Sequence, residues 1–352
     1  MSGTGYFGKP NSPERVSSVT DQPIPVTTGS SLRNAFGQTL VDLAPRYDFL
    51  VTDCDVQGGT GVAPFAALYP GRFIQCGIME QLAMGVTAGL NIATNQPVFY
   101  TGFSIFSSRA LEVARLSVAY GQCNVKIVLS HLGLDVGPDG ASCQHLEHYG
   151  LWRSIPGMTV IHPCDPYEMR QAVEAALLYQ GPVVLFTGRS PVQPVYEGDY
   201  RFQIGMASVL RDIKYKSTQT SIADCTLVAC GHMVKRALEA AVQLDGYGIR
   251  CAVINLSTLK PIDSFILAKY AAETGALVTC EDHSIYTGLF SAVAETLAMS
   301  GYPVPIEPVA VMDVFGESGE PEELAEAYGL GVEDIVEAAR RVVSRKEAIW
   351  RG

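Results

Sequence analysis

Arg72-Phe-Ile-Gln-Cys-Gly-Ile-Met-Glu-Gln-Leu-Ala-Met-Gly-Val-Thr-Ala-Gly-Leu90 reads as a short strand, a glycine-bearing loop and a long apolar helix. Arg72-Phe-Ile-Gln75 supplies the strand, and the helix begins near Met79. One carboxylate, Glu80, stands at its start, and most residues after it are small or apolar: Leu82, Ala83, Met84, Gly85, Val86, Ala88, Gly89 and Leu90. A carboxylate entering such a helix loses solvation, which favours its neutral form. It can then share a proton with a basic nitrogen on a ligand. A plainer reading is also open, because a negative charge in the first turn complements the helix dipole.

The same strand-to-helix rhythm runs through the chain. Ser30 to Leu43 opens with serines and sets Leu32, Phe36, Leu40 and Leu43 on one face, an N-capped amphipathic helix. Strands are expected at 49–52, 72–75, 98–100, 125–130, 158–161 and 183–186, with helices at 104–121 and 166–179. Pro191, Pro194, Gly198 and the polar run Lys214 to Thr220 then suggest a linker over 189–222. Beyond it the alternation restarts, with strands at 225–230, 250–255, 276–281 and 309–311 and helices near 233–243, 262–273, 287–299 and 332–344. Fully apolar strands alternating with helices predict parallel sheets covered on both faces. The fold class is α/β, with two doubly wound domains over 27–188 and 223–352. Glu320 to Arg341 has the charge pattern of a solvated helix pair.

With 352 residues, 47% hydrophobic and only 17% charged, the chain is core-rich and poor in charged surface, which suits large buried interfaces. A net charge of −11 offers no field for a nucleic-acid partner, and no apolar run is long enough to span a bilayer. Residues 1–26 are rich in Ser, Gly, Pro and Thr without an apolar core, and read as a flexible or partner-wrapping arm. The nine cysteines are scattered with no Cys-x-x-Cys pair, in the style of free thiols in a cytoplasmic protein.

Polar clusters fall where strands end, the place ligands occupy in parallel α/β sheets. Asp53-Cys-Asp55-Val56-Gln-Gly-Gly59-Thr-Gly61 follows one strand, Gly77 to Gln81 another, and His131 to His145 a third. Asp53 and Asp55 also suit turns that bond their own backbone. The Gly58–Gly61 run lacks the Gly-Lys-Ser/Thr of a phosphate loop. His131, Asp139, Cys143, His145 and His148 match no standard zinc spacing, and Cys143 with His145 lacks a third orienting group. By spacing alone Phe103 and Phe106 are equally core aromatics.

Together these residues resemble the C-terminal half of a transketolase, the pyrimidine-binding domain and smaller mixed-sheet C-terminal domain of thiamine-diphosphate enzymes. The resemblance covers Ser30 to the end. It runs through Arg72 to Gln81, Phe103-Ser-Ile-Phe106-Ser-Ser-Arg109-Ala110, Gly137-Pro-Asp-Gly140, Ile155-Pro-Gly-Met-Thr-Val160, Pro163-Cys-Asp165, Thr187-Gly-Arg189 and Glu281-Asp-His-Ser284. It implies that Glu80 hydrogen-bonds a pyrimidine nitrogen of the cofactor, that Phe103 and Phe106 stack on that ring, and that Asp55 and Val56 help to hold it. It implies ketol transfer from a ketose to an aldehyde. Asp139 would bond the donor's α-hydroxyl, Arg33, His131 and Arg189 would hold a sugar phosphate, and Cys143 would lie beside the substrate.

Two positions depart from the family. Gly59 stands where a phosphate-contacting serine is usual, and Cys143 where many relatives have histidine and some glutamine, which points to an unusual or unphosphorylated acceptor. The family's Gly-Asp-Gly and downstream Asn, which hold metal and diphosphate, are missing. The resemblance therefore implies a partner subunit that carries this diphosphate-binding half with Mg2+ or Ca2+, in an α2β2 heterotetramer. No metal ligand is assigned to this chain. Readings as a deoxyxylulose-phosphate synthase-like or 2-oxoacid dehydrogenase beta-like subunit, or as a non-catalytic scaffold, stand beside it.

Overall fold

The computed structural model describes residues 30–214 and 222–351, except the side chains of residues 350 and 351. The expected arm, 1–26, lies outside the described residues. Six strands come first: β1 (Leu50–Asp53), β2 (Phe73–Gln75), β3 (Val98–Phe103), β4 (Val125–Ser130), β5 (Thr159–Ile161) and β6 (Val183–Thr187). Six others come after them: β7 (Ser208–Arg211), β8 (Cys225–Ala229), β9 (Cys251–Asn255), β10 (Thr258–Lys260), β11 (Leu277–Ser284) and β12 (Ile306–Val311). They form two sheets, in the orders β10-β5-β6-β4-β3-β1-β2 and β12-β11-β8-β9-β7.

The central strands pair in parallel, and their mostly apolar sequences suit a sheet covered on both faces. β4 is buried at all six positions between β3 and β6, and even Lys126 is enclosed, its Nζ donating to the carbonyls of Tyr179 and Gly181 at 2.7 Å each. Helices are capped as their sequences dictate: Asp165 accepts the Glu168 N–H at 2.7 Å, and Asp263 that of Ile266 at 3.1 Å. The two units share one core, in which Trp152 and Ile155 lie with Leu256, Leu259 and Leu289. No helix among the described residues is long and apolar enough to cross a membrane.

Four features differ from the sequence reading. Ser208–Arg211, inside the expected linker, forms edge strand β7 antiparallel to β9. Val209 is exposed and the other three are half-buried, so its short sequence carries no apolar periodicity that would separate it from a loop. β10 leaves the second unit and closes the first sheet, antiparallel to β5. The expected helix 104–121 breaks into a helical turn Ser104–Ser107, a 3-10 turn Ser108–Ala110, Leu111–Val113 and a π-helical stretch Ala114–Tyr120. Ser108 Oγ bonds back to the Ile105 carbonyl at 2.6 Å, a local alternative to the helical ladder. Finally, the C-terminal pair, Pro321–Ala327 and Val332–Arg351, is not merely solvated: Leu324, Ile335, Val336, Ala339 and Val342 are buried beneath its charges.

Candidate active site

The parallel strands of the first sheet point their carboxyl ends to one edge, where the loops after β1, β2, β3, β4 and β6 gather. After β1, Asp53 is wholly buried and accepts from the Val56 N–H at 2.8 Å, Thr60 Oγ1 at 3.0 Å and Thr101 Oγ1 at 2.7 Å. Burial raises its carboxyl, opposed by these donors. With its acceptors engaged, Asp53 is a strut for the turn. Asp55 beside it is exposed, at φ 65°, its N–H on Gln75 Oε1 at 2.9 Å. Val56 is half-buried against the core.

Gly59 is where three site residues meet. A Cβ there would lie 2.4 Å from Phe103 Cε1 and 3.4 Å from His131 Cε1, and its carbonyl accepts Arg33 Nη1 at 3.2 Å. Phe103 lies parallel to His131, centroids 3.7 Å apart, and to Phe106 at 5.7 Å. These three rings make an aromatic wall.

Glu80 opens the helix Glu80–Thr94 with its side chain 9% exposed. The helix buries Ala83, Met84, Thr87 and Ala88, but leaves Leu82 and Ile92 in the open, beside exposed Ile78 and Met79. The apolar run is thus split between the core and an uncovered face, where the sequence predicts enclosure. Arg109 Nη1 stands 3.6 Å from Glu80 Oε1, and its guanidinium lies 5.3 Å from the Phe106 ring centre. Sequence reasoning gave Arg109 no role, because a pairing across 29 positions leaves no local signal.

His131, buried and at φ 57°, meets Ser130 Oγ through Nδ1 at 3.1 Å. Burial, then the charges of Arg33 and Arg189, hold its pKa down at about 4, so the imidazole is neutral at neutral pH. Asp139 pairs with Arg189 at 3.8 Å, and both act electrostatically on His131 and Arg33. Arg33 Nε is buried without a hydrogen-bond partner, and burial followed by Arg189 lowers its guanidinium. Cys143 is half-buried in a turn closed by its N–H on the Gly140 carbonyl at 2.9 Å. Among the described residues, Asp55 and Cys143 make no hydrogen bond or ion pair to this group.

Such an edge can receive a flat heteroaromatic ring against Phe103 and Phe106 beside a shielded carboxylate. Next to it, two guanidinium groups, an aspartate and a neutral imidazole can hold a hydroxylated, anionic chain. Among the described residues no group of three or more His, Cys, Asp or Glu side chains is placed to hold a metal ion.

Residues 29–194 match the family described as transketolase, pyrimidine binding domain, and 216–335 match transketolase, C-terminal domain. A putative transketolase C-terminal section of Methanocaldococcus jannaschii is 39% identical over 89% of this chain and 95% of its own length. A subunit of the apulose-4-phosphate transketolase of Phocaeicola vulgatus is 34% identical over 89% of this chain and 97% of its own length. A 1-deoxy-D-xylulose-5-phosphate synthase of Pelotomaculum thermopropionicum is 33% identical over 96% of this chain, but only 53% of that protein is matched. Among solved structures, one described as a split gene transketolase, inactive beta4 tetramer, superimposes with a TM-score of 0.81 at 40% identity, covering 90% of this chain and all of that one.

Proposed function

The chain belongs to the transketolase family, and from that premise we propose that it is the C-terminal subunit of a split, thiamine-diphosphate-dependent transketolase. It moves a two-carbon ketol unit from a ketose or ketose phosphate to an aldehyde, in complex with a subunit that carries the diphosphate-binding half and its Mg2+ or Ca2+. The observation that carries this is the meeting of Glu80, the Phe103–His131 stack and the Arg33–Asp139–Arg189 group on one sheet edge. Relatives of matching length described as a C-terminal section and a subunit support the split organisation, as does the open apolar face around Leu82.

The residues fit the cofactor: the Phe103 and Phe106 faces suit an aminopyrimidine, and the shielded Glu80 carboxylate suits its ring nitrogen. When bound, thiamine diphosphate supplies the acidic carbon that adds to a carbonyl. Glu80 holds the proton at the pyrimidine nitrogen. Asp139 accepts the donor's α-hydroxyl, and Arg33, Arg189 and neutral His131 orient the far end of the sugar. Asp55 and Val56 form the rim on the cofactor side, and Cys143 that on the substrate side.

The test is an assay of the chain mixed with a transketolase subunit carrying the diphosphate-binding half, thiamine diphosphate and Mg2+. Two-carbon transfer from a ketose to an aldehyde is expected. Consumption of pyruvate without ketol transfer would assign the chain to the synthase or dehydrogenase reading, to which its likeness to the synthase lends support. Inactivity with every donor would leave a scaffold.

A further inference from the structure

The loop that carries His131 and Asp139 is gripped by the second unit at both ends. At its start, Asp282 on β11 accepts the N–H of Leu134 at 2.8 Å and that of Asp135 at 3.1 Å. Gly133, at φ 65°, makes room for this contact: a Cβ there would lie 2.2 Å from the Asp282 carboxylate. His232 Nε2 stands 3.5 Å from the same carboxylate. At the far end, Gln144 Nε2 donates to the carbonyl of Glu317 at 2.9 Å, and Gly140 packs on Ser318, whose Oγ would lie 2.6 Å from a Cβ.

Asp135 passes the grip onward, its Oδ2 accepting the N–H of Arg189 at 2.6 Å and of Ser190 at 3.1 Å. Asp282 is therefore linked by backbone and hydrogen bonds to both members of the Asp139–Arg189 pair. A buried carboxylate is costly in the interior unless its oxygens are satisfied, and here both are satisfied by the substrate loop. Nothing in the sequence pattern marks this, since Asp282 lies 148 positions from Leu134.

We propose that Asp282 is a positioning residue for the donor site: through the N–H groups of Leu134 and Asp135 it sets where Asp139 and Arg189 stand, without touching substrate. The proposal rests on the ketol-transfer reading above.

Asp282→Asn keeps the shape but turns one accepting oxygen into a donor. In the assembled holoenzyme the donor KM is expected to rise about tenfold, with kcat and thiamine diphosphate affinity within about twofold. Cys280→Ala, two residues earlier on β11, controls for general loss of stability and should leave the donor KM unchanged. Hydrogen exchange in the isolated chain should quicken over 131–145 and leave 98–103 unaltered in the Asn variant. Unchanged exchange over 131–145 overturns the proposal, as does an unchanged donor KM or a parallel loss of KM, kcat and cofactor affinity. If the wild-type complex turns over no ketose, the functional reading fails, and exchange alone decides whether Asp282 holds the loop.

Discussion

The imidazole of His131 lies face to face with the ring of Phe103, centroids 3.7 Å and planes 18° apart. The stack exists because Gly59 has no Cβ to occupy the space taken by Phe103. Gly59→Ala is expected to push the ring aside and let water reach the imidazole. The His131 pKa, held at about 4 chiefly by burial, should then climb toward the ordinary 6.5. Histidine NMR titration of both proteins checks this; an unchanged titration counts against the stack.

Acid should destabilise the chain well before its ordinary carboxylates titrate. Burial holds His131, His145 and His283 at about 4 and His162 at about 3, below the ordinary 6.5. As pH falls below 6.5 the unfolded chain takes up these protons first, so stability is lost between 6.5 and about 4. Glu281 works the other way: burial raises it to about 7 against the N–H donors of Phe290 and Leu289, so its contribution is lost as pH rises through that value. Burial depresses His148 as well, and raises Asp53, Asp165, Glu168 and Asp282 in the same direction as Glu281. The histidines, whose unfolded pKa lies nearest neutrality, dominate between pH 7 and about pH 5. The urea midpoint is expected to fall between pH 7 and about pH 5, whereas a flat profile would contradict the burial of these rings.

Tyr149 joins the two units, its hydroxyl 2.5 Å from His162 Nδ1 and 3.2 Å from Cys230 Sγ. Tyr149→Phe leaves a buried ring nitrogen unpaired on a histidine whose Nε2 already has no partner. A loss of about 1–3 kcal/mol in unfolding free energy is expected by urea titration. A loss below about 0.5 kcal/mol would show that the network carries little stability.

The open face formed by Ile78, Met79, Leu82 and Ile92 is suited to burial by the proposed partner. Leu82→Glu should weaken association at least about tenfold in sedimentation experiments. Because Leu82 is exposed in the single chain, its melting temperature should hold. Equal affinity would place the partner elsewhere.

The parallel strands were legible because unbroken apolar runs such as Val183–Phe186 permit little else. Asp55, Val56, Glu80, His131, Asp139 and Cys143 stood out as members of strand-end clusters, whereas Arg33 and Arg189 were named through the resemblance alone and Phe103 and Phe106 took their expected role from it. β7 and β10 were not, since their pairing depends on distant strands and not on their own short sequences. Neither was the outward face of Glu80–Thr94, because composition shows that a helix is apolar but not which side finds a partner. The links from Arg109 to Glu80 and from Asp282 to Leu134 were equally hidden, each made only when the fold brings distant residues together.

Ketol transfer measured for the chain alone, for the partner subunit alone, and for their mixture with wild-type or Glu80→Gln chain tests the central claim most directly. Activity is expected only in the wild-type mixture, with Glu80→Gln lowering kcat by about a hundredfold or more. Turnover by the chain alone, or full activity of the Glu80→Gln mixture, would contradict the account.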